Sequence, residues 1–172
     1  IFGLHVEETT ECGTIKIKKG VVNAASNPYN IKITGQGGHG ASPHTTVDPV
    51  VIASHIVLAL QTIVSREIAP VNPAVVTVGM LHAGTGQNII PGEAKLSGMI
   101  RTMTKEVREF AVRRLNEIVN GIAEMSRAKA EVEVFESYPC LYNDDDCVEL
   151  LIGSASSVIA VSYTHLTLPT NS

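Results

Sequence analysis

The chain has 172 residues, a formal net charge of -4 at pH 7, 44% hydrophobic residues and 17% charged residues. This size allows one domain and part of another, and the composition is that of a globular protein. No block of like charge suggests a nucleic-acid or membrane-surface partner, and no apolar run approaches the ~18 residues that span a bilayer.

The cysteines and the two ends of the chain predict the compartment of the protein and whether the chain is a fragment. The three cysteines form no CxxC pair, which predicts reduced thiols and a cytoplasmic protein. The chain starts without Met inside the apolar run "IFGLHV", and residues 161–172 show neither periodicity nor a helix cap. We therefore expect a fragment whose natural N-terminus lies elsewhere and whose segment 161–172 is not native.

The first half of the chain predicts a strand, a long loop and a helix. "IFGLHV" is typical of the end of a buried strand, and residues 29–34 alternate as a half-buried strand does. The loop 35–47 leads to Asp48-Pro49, which favours a helix start because Asp caps free N–H groups and Pro fits the first helical position. Apolar spacing continues this helix to about Arg66. A surplus row of valines predicts a second contact, such as another subunit: Val50, Val57 and Val64.

The second half predicts two strands, a helix and a last strand. Residues 74–81 are rich in β-branched side chains, and residues 94–102 alternate. Thr104 caps a helix with a buried face extending to Met125, and residues 131–138 form the last strand. The order β-α-β-β-α-β predicts an α+β, ferredoxin-like unit, with a four-stranded antiparallel sheet and two helices on one face.

The loop segment "GQGGHGASPH" (35–44) is the first candidate site. Its glycines match the G-x-G-x-x-G pattern of a dinucleotide-binding loop, but the helix begins only at Asp48, too late to receive a pyrophosphate. Two interpretations of His39 stay open. It is an exposed residue among turn glycines, or the glycines project its imidazole to donate a hydrogen bond to an oxyanion or to move a proton.

Three other residues, like His39, allow either an ordinary structural role or a role in a functional site. His5, which follows an apolar run, is more often a packed histidine than a metal ligand. Asn88 is a turn amide or a donor to substrate, and Arg101 is a surface charge or a binder of a carboxylate. The acidic run 143–146 predicts a solvated turn, because consecutive side chains point in different directions. The remaining histidines carry only the plain interpretation: His44, His55 and His82.

A set of motifs occurs in a fixed order: "FGLHV", "GQGGHGASPH", "VDPV", "VSRE", "VTVG", "QNIIPGEAKLSGMIRT" and "YP". In this combination, residues 1 to about 160 resemble the metal-dependent amidohydrolase/aminoacylase family, which includes hippurate hydrolases, plant auxin-conjugate hydrolases and related carboxypeptidases. The resemblance implies an α/β catalytic domain with two divalent metals, Zn or Mn, and an inserted lid that forms a homodimer. It implies the end of the first catalytic segment at 1–25, the lid at 26–138 and the return at 139–160.

The resemblance also implies a role for each candidate residue. His5 is a metal ligand, His39 reaches the partner subunit's active site and helps stabilise the tetrahedral intermediate, and Asn88 and Arg101 contact the substrate. The family's other ligands and its catalytic glutamate are not here, and a lone histidine cannot hold a catalytic metal. We expect part of an enzyme that cleaves N-acyl amino acids or similar amides with metal-activated water, inactive as a fragment. The alternative is a non-catalytic dimerisation or binding module.

Overall fold

The structure is a computed structural model that describes residues 1–6, 8, 9 and 11–158. It divides into two compact units, one formed by Ala24–Cys140 and the other by the described residues of 1–23 and 141–158. The segment 161–172, which we expect to be non-native, lies outside the described residues. The elements in chain order are β1 (Gly20–Asn23), β2 (Ala25–Thr34), β3 (Gly38–His39), α1 (Pro49–Thr62), β4 (Ala74–Ala83), β5 (Ile89–Ile90), β6 (Glu93–Thr102), α2 (Lys105–Met125), β7 (Lys129–Val134), β8 (Leu141–Asn143) and α3 (Asp145–Ser156).

Four strands of the Ala24–Cys140 unit form one antiparallel sheet in the order β4-β6-β2-β7. The helix α1 connects β2 to β4, and α2 connects β6 to β7. Each connection therefore steps over one strand, which is the split β-α-β arrangement of the ferredoxin-like fold. The predicted fold class is confirmed.

The strand β2 shows how the sequence pattern becomes a two-sided sheet. Its side chains Tyr29, Ile31 and Ile33 are fully buried in the core formed with the two helices. The alternate residues Lys32 and Thr34 lie on the opposite face, which stays open. The strand begins at Ala25, earlier than the predicted residue 29. The prediction began too late because the buried side chains of residues 26 and 27 are polar and interrupt the apolar alternation.

Both helices begin where their capping residues predict. The side chain of Asp48 accepts a hydrogen bond from the backbone N–H of Val50 at 2.8 Å, and the side chain of Thr104 accepts one from Val107 at 3.3 Å. These oxygens satisfy donors that have no partner within the first helical turn. The end of the first helix differs from a simple α-helix, because a single π turn over Ile63–Glu67 follows α1.

The first helix is more apolar than most surface helices. The segment Pro49–Glu67 is long and apolar enough, by length and composition alone, to cross a membrane, so the expectation that no run approaches that length is wrong. The few polar residues that interrupt this segment leave its mean hydropathy high. Its inner side chains Ile52, Ile56 and Leu60 are buried against the sheet, which is the environment of a core helix.

The surplus valines of α1 do not behave as one exposed row. Val57 and Val64 are partly buried and pack against the core, whereas Val50 is exposed. The outward apolar surface of α1 instead includes Val51 and Leu58. The valines are therefore not a row separate from the core, because the core covers a wider arc of the helix than one sheet usually does. Their contact with another subunit stays a prediction.

The strand β7 is shorter than its predicted range 131–138. It ends at Val134, although the N–H of Phe135 still donates to the carbonyl of Pro28 at 2.8 Å. The chain then leaves the sheet and returns at Tyr138, which forms a single bridge with Ser26. This return places the Tyr138 side chain beside the start of β2.

The second unit contains β1 paired antiparallel with β8, followed by α3. Asp144 caps α3 by accepting hydrogen bonds from the N–H groups of Asp146 and Cys147, so the acidic run begins a helix rather than a solvated turn. Carboxylates are favourable there because they meet the positive end of the helix dipole. Residues 1–6 are exposed and form no strand; the expected strand end is absent because no described strand pairs with it.

Candidate functional site

The loop that carries His39 is fixed to its neighbours by backbone hydrogen bonds. The two-residue strand β3 pairs with β5, so that His39 lies opposite Ile89. The N–H of Gly35 donates to Gly92 at 2.9 Å, and the N–H of Gly40 donates to Asn88 at 2.8 Å. A loop held at both sides in this way presents its side chains from a defined backbone.

The loop glycines serve close packing and not flexibility. A Cβ at Gly35 would lie 2.2 Å from the carbonyl oxygen of Val47, and one at Gly37 would lie 2.8 Å from that of Ile90. Positive φ angles are recorded for glycines elsewhere in the described chain but not for these. Their function is therefore to let two backbone segments approach each other.

His39 is exposed, and one of its ring nitrogens is already engaged. Nδ1 accepts a hydrogen bond from the backbone N–H of Ala41 at 3.1 Å. An accepting Nδ1 carries no proton, so the neutral ring bears its proton on Nε2. The loop thus directs a hydrogen-bond donor away from its own backbone, which is the property required of an oxyanion donor.

An open groove of about 790 Å³ lies beside His39, between its loop and the open face of the sheet. His82 of β4 and Lys95 of β6 are direct cross-strand neighbours in this groove. Neither residue belongs to a motif that predicted a site. The alternation of side chains along each strand, combined with the pairing of β4 and β6, would have placed His82 and Lys95 in the groove. Both lie on the open face of the sheet, near the end where the His39 loop attaches.

The groove also contains Glu93, a carboxylate held between two lysines. Its oxygens lie 3.2 Å from Lys95 Nζ and 3.5 Å from Lys32 Nζ. The hydrogen bond from Lys95 and the charges of both lysines lower the pKa of Glu93 below its ordinary value. The lowered pKa makes the Glu93 carboxylate a weaker proton acceptor, so Glu93 is poorly suited to act as a general base near neutral pH.

Asn88 lies next to His39 in space as well as in the predicted site. Its backbone carbonyl accepts from Gly40, the residue after His39, and its side chain is exposed. The structure therefore brings these two predicted site residues together on one loop pair.

Arg101 lies away from that pair. It stands at the opposite end of β6 from Glu93, which at about 3.3 Å per residue separates their Cα atoms by roughly 25 Å. Its Nη1 donates to the hydroxyl of Tyr138 at 3.0 Å, so the guanidinium is directed across β2 and not along β6. Within one subunit, Arg101 and His39 do not share a site.

His5 is exposed and belongs to the other unit. Among the described residues, no group of three or more histidine, cysteine, aspartate or glutamate side chains could hold a metal ion. Catalytic zinc sites have three protein ligands. The residues described here therefore do not fit a complete metal site.

The fold and the loop together define the class of this chain. Residues 23–126 match the family model of the peptidase dimerisation domain, M20_dimer. The chain therefore belongs to the M20 peptidase family through this domain.

Characterised relatives and solved structures agree with this assignment. The chain is 34% identical over 166 residues to thermostable carboxypeptidase 2 of Saccharolobus solfataricus, covering 96% of this chain and 42% of the relative. It is 41% identical to the N-acetyldiaminopimelate deacetylase of Anoxybacillus flavithermus, covering 84% and 38% of the two chains. A Bacillus subtilis protein described as a dinuclear metal binding peptidase of the M20 family superposes with a TM-score of 0.73 at 27% identity, covering 95% of this chain and 40% of that one. The chain thus spans well under half the length of these relatives.

Proposed function

We propose that the full-length protein is an amidohydrolase that cleaves N-acyl amino acids or similar amides. Relatives named as N-acetyldiaminopimelate deacetylase, N-acetylcysteine deacetylase and carboxypeptidase support this class of reaction. The observation that carries the proposal is the exposed His39 imidazole, whose Nδ1 accepts a hydrogen bond from its own loop and so leaves Nε2 as the ring's remaining donor.

The chemical role proposed for His39 is stabilisation of the tetrahedral intermediate. Attack on an amide carbonyl places negative charge on its oxygen, and a fixed N–H donor lowers the free energy of that state. The backbone pairing of the His39 loop supports this role, because a donor that needs no reorganisation is worth more than a mobile one.

Arg101 is proposed to bind the substrate carboxylate, and Asn88 to orient the amide. In an N-acyl amino acid, three bonds of about 1.3–1.5 Å separate the scissile carbonyl carbon from the carboxylate carbon. His39 and Arg101 lie too far apart in one subunit to bind groups so close together. We therefore assign His39 and Asn88 to one subunit and Arg101 to the other at each site.

A homodimer through the Ala24–Cys140 unit supplies this arrangement. The sheet order leaves β4 at an edge, where Val75 and Met80 are exposed. The helix α1 contacts β4 and adds the exposed side chains Val51 and Leu58. We assign this apolar surface of β4 and α1 to the contact with a second copy of the chain. Sedimentation of the full-length protein should therefore show a dimer.

The full-length protein is further proposed to bind two divalent metals, Zn or Mn, with His5 as one ligand. The related dinuclear peptidase supports this proposal, but the described residues alone do not complete such a site. Residues 1–160 in isolation should therefore be inactive. Elemental analysis of the full-length protein and of its His5→Ala variant tests the metal assignment.

We also place the protein in the cytoplasm. The free state of Cys12, Cys140 and Cys147 supports a reducing compartment. Fractionation of the native host tests this placement.

A non-catalytic dimerisation or binding module is the second candidate. The family model that matches the chain describes dimerisation, and the described residues hold no metal cluster. Hydrolysis of N-acyl amino acids by the full-length protein discriminates between the two, because a binding module would release no free amino acid.

The variant His39→Ala tests the catalytic role directly. Loss of one oxyanion donor typically lowers kcat by about 10²–10³, and we expect this loss in the full-length protein with little change in KM. His44→Ala is the matched control, because His44 is an exposed histidine of the same loop. Turnover within about twofold of wild type for His39→Ala would contradict the assignment.

A further inference from the structure

The Arg101 guanidinium is fixed by a neutral group. Its Nη1 donates to the Tyr138 hydroxyl at 3.0 Å. Among the residues that the structure describes, no carboxylate lies within salt-bridge distance of Arg101. A phenol orients the cation without neutralising it, whereas a carboxylate partner would compete with an anionic ligand.

The backbone fixes Tyr138 in turn. Its carbonyl accepts a hydrogen bond from the N–H of Ser26 at 3.3 Å. Ser26 is the register partner of Arg101 in the sheet, so it lies between the two side chains. A serine is small enough for Arg101 to reach across β2 to the phenol, and Ser26 is only 3% exposed beneath them.

The contact between the two side chains is electrostatic as well as geometric. The hydrogen bond from Arg101 lowers the pKa of Tyr138 below its ordinary value of 10.0. This is the sign expected for an acceptor next to a cation. The phenol is thus the acceptor of this contact, as the donation from Nη1 of Arg101 requires.

We propose that Tyr138 is a positioning residue for substrate recognition. By holding Nη1, its hydroxyl leaves Nε and Nη2 of Arg101 to form a two-pronged contact with the substrate carboxylate. The inference rests on the proposed function, in which Arg101 binds that carboxylate. Tyr138 would then determine the selectivity of the site for substrates with a free carboxylate over neutral analogues. No sequence motif indicated this role.

The test compares two substrates in the full-length enzyme, an N-acetyl amino acid and the same compound with its carboxylate converted to a primary amide. Tyr138→Phe should raise KM for the carboxylate about threefold to tenfold, the equivalent of one net hydrogen bond. Its kcat should stay within about twofold, and KM for the amide should not change. Tyr142→Phe, which changes an exposed tyrosine of the other unit, is the control.

Arg101→Met separates this inference from the function on which it rests. It should raise KM for the carboxylate substrate about 10- to 100-fold, and adding Tyr138→Phe to it should have no further effect. A full effect of Arg101→Met with none of Tyr138→Phe would overturn the positioning role alone. No effect of Arg101→Met would overturn the carboxylate assignment and the positioning role together. Additive effects of the two variants would also contradict the inference.

Discussion

Tyr29 combines burial, a hydrogen bond and a close backbone contact in one residue. It is fully buried, and its hydroxyl donates to the carbonyl of Thr77 at 2.9 Å. Its ring lies over Gly98 of β6, where an added Cβ would be 2.4 Å from the phenolic oxygen. The side chain therefore ties β2 to β4 across the central strand.

This arrangement predicts a loss of stability at alkaline pH. Burial raises the pKa of Tyr29 to about 12, above the value of about 10 for an unfolded chain. The stabilisation is complete below pH ~10 and is lost as the pH rises from about 10 towards 12, because the unfolded chain releases its proton first. Tyr29→Phe should flatten this part of the pH profile and cost about 1 kcal/mol at neutral pH.

Urea unfolding at pH 7 and near pH 11 measures the effect, with Tyr142→Phe as a control at an exposed tyrosine. Parallel pH profiles for wild type and Tyr29→Phe would show that Tyr29 does not titrate as its burial requires.

Single residues of the site differ in how far the sequence could predict them. The motif order indicated His39 and Asn88, and the structure brings these two together. The contact that engages Nδ1 of the His39 ring could not be predicted, because it depends on the N–H of Ala41 turning back to that nitrogen. Tyr138 was also beyond prediction, because its contact with Arg101 spans an intervening strand.

At the scale of elements, the Gly-rich loop is a packed part of the sheet unit. The sequence predicted the long strands and helices, since alternation and capping are local signals. It could not predict the pairing of β3 with β5, because this two-residue ladder joins segments that are distant in sequence. The sequence therefore predicted a long loop where the structure shows close backbone contacts.

The element-scale prediction is that Gly35→Ala damages the unit and Gly92→Ala does not. A Cβ at position 35 would lie 2.2 Å from the Val47 carbonyl oxygen, whereas one at position 92 would meet no atom within 4 Å. Relieving such a backbone clash should cost about 1–3 kcal/mol of unfolding free energy, against less than about 0.5 kcal/mol for the control. Equal unfolding midpoints for the two variants in urea would disprove the packing role of Gly35.

At the scale of the whole molecule, the two groups that we propose to bind the substrate lie at opposite ends of one strand. The His39 loop lies at one end of β6 and Arg101 lies at the other. The fold class could be predicted from the order of elements, but this separation could not, because motif order does not state which residues share a subunit. We propose that His39 and Arg101 meet at one substrate only across a dimer.

Mixed dimers of the full-length protein test this claim most directly. Subunits carrying His39→Ala are mixed with subunits carrying Arg101→Met, and activity is measured at subsaturating N-acetyl amino acid. Each variant alone should be nearly inactive. In a mixed dimer, one site pairs the native His39 of one subunit with the native Arg101 of the other, so random 1:1 exchange should restore about a quarter of wild-type activity.

The reciprocal control mixes wild type with the double variant His39→Ala/Arg101→Met, whose mixed dimers should contain no complete site. Activity should then fall to about a quarter of wild type, the share of intact wild-type dimers. Recovery in the first mixture together with this loss in the second is the predicted result. No recovery in the first mixture, with about half of the activity retained in the second, would show that both residues serve the same subunit and would contradict a site shared across the dimer.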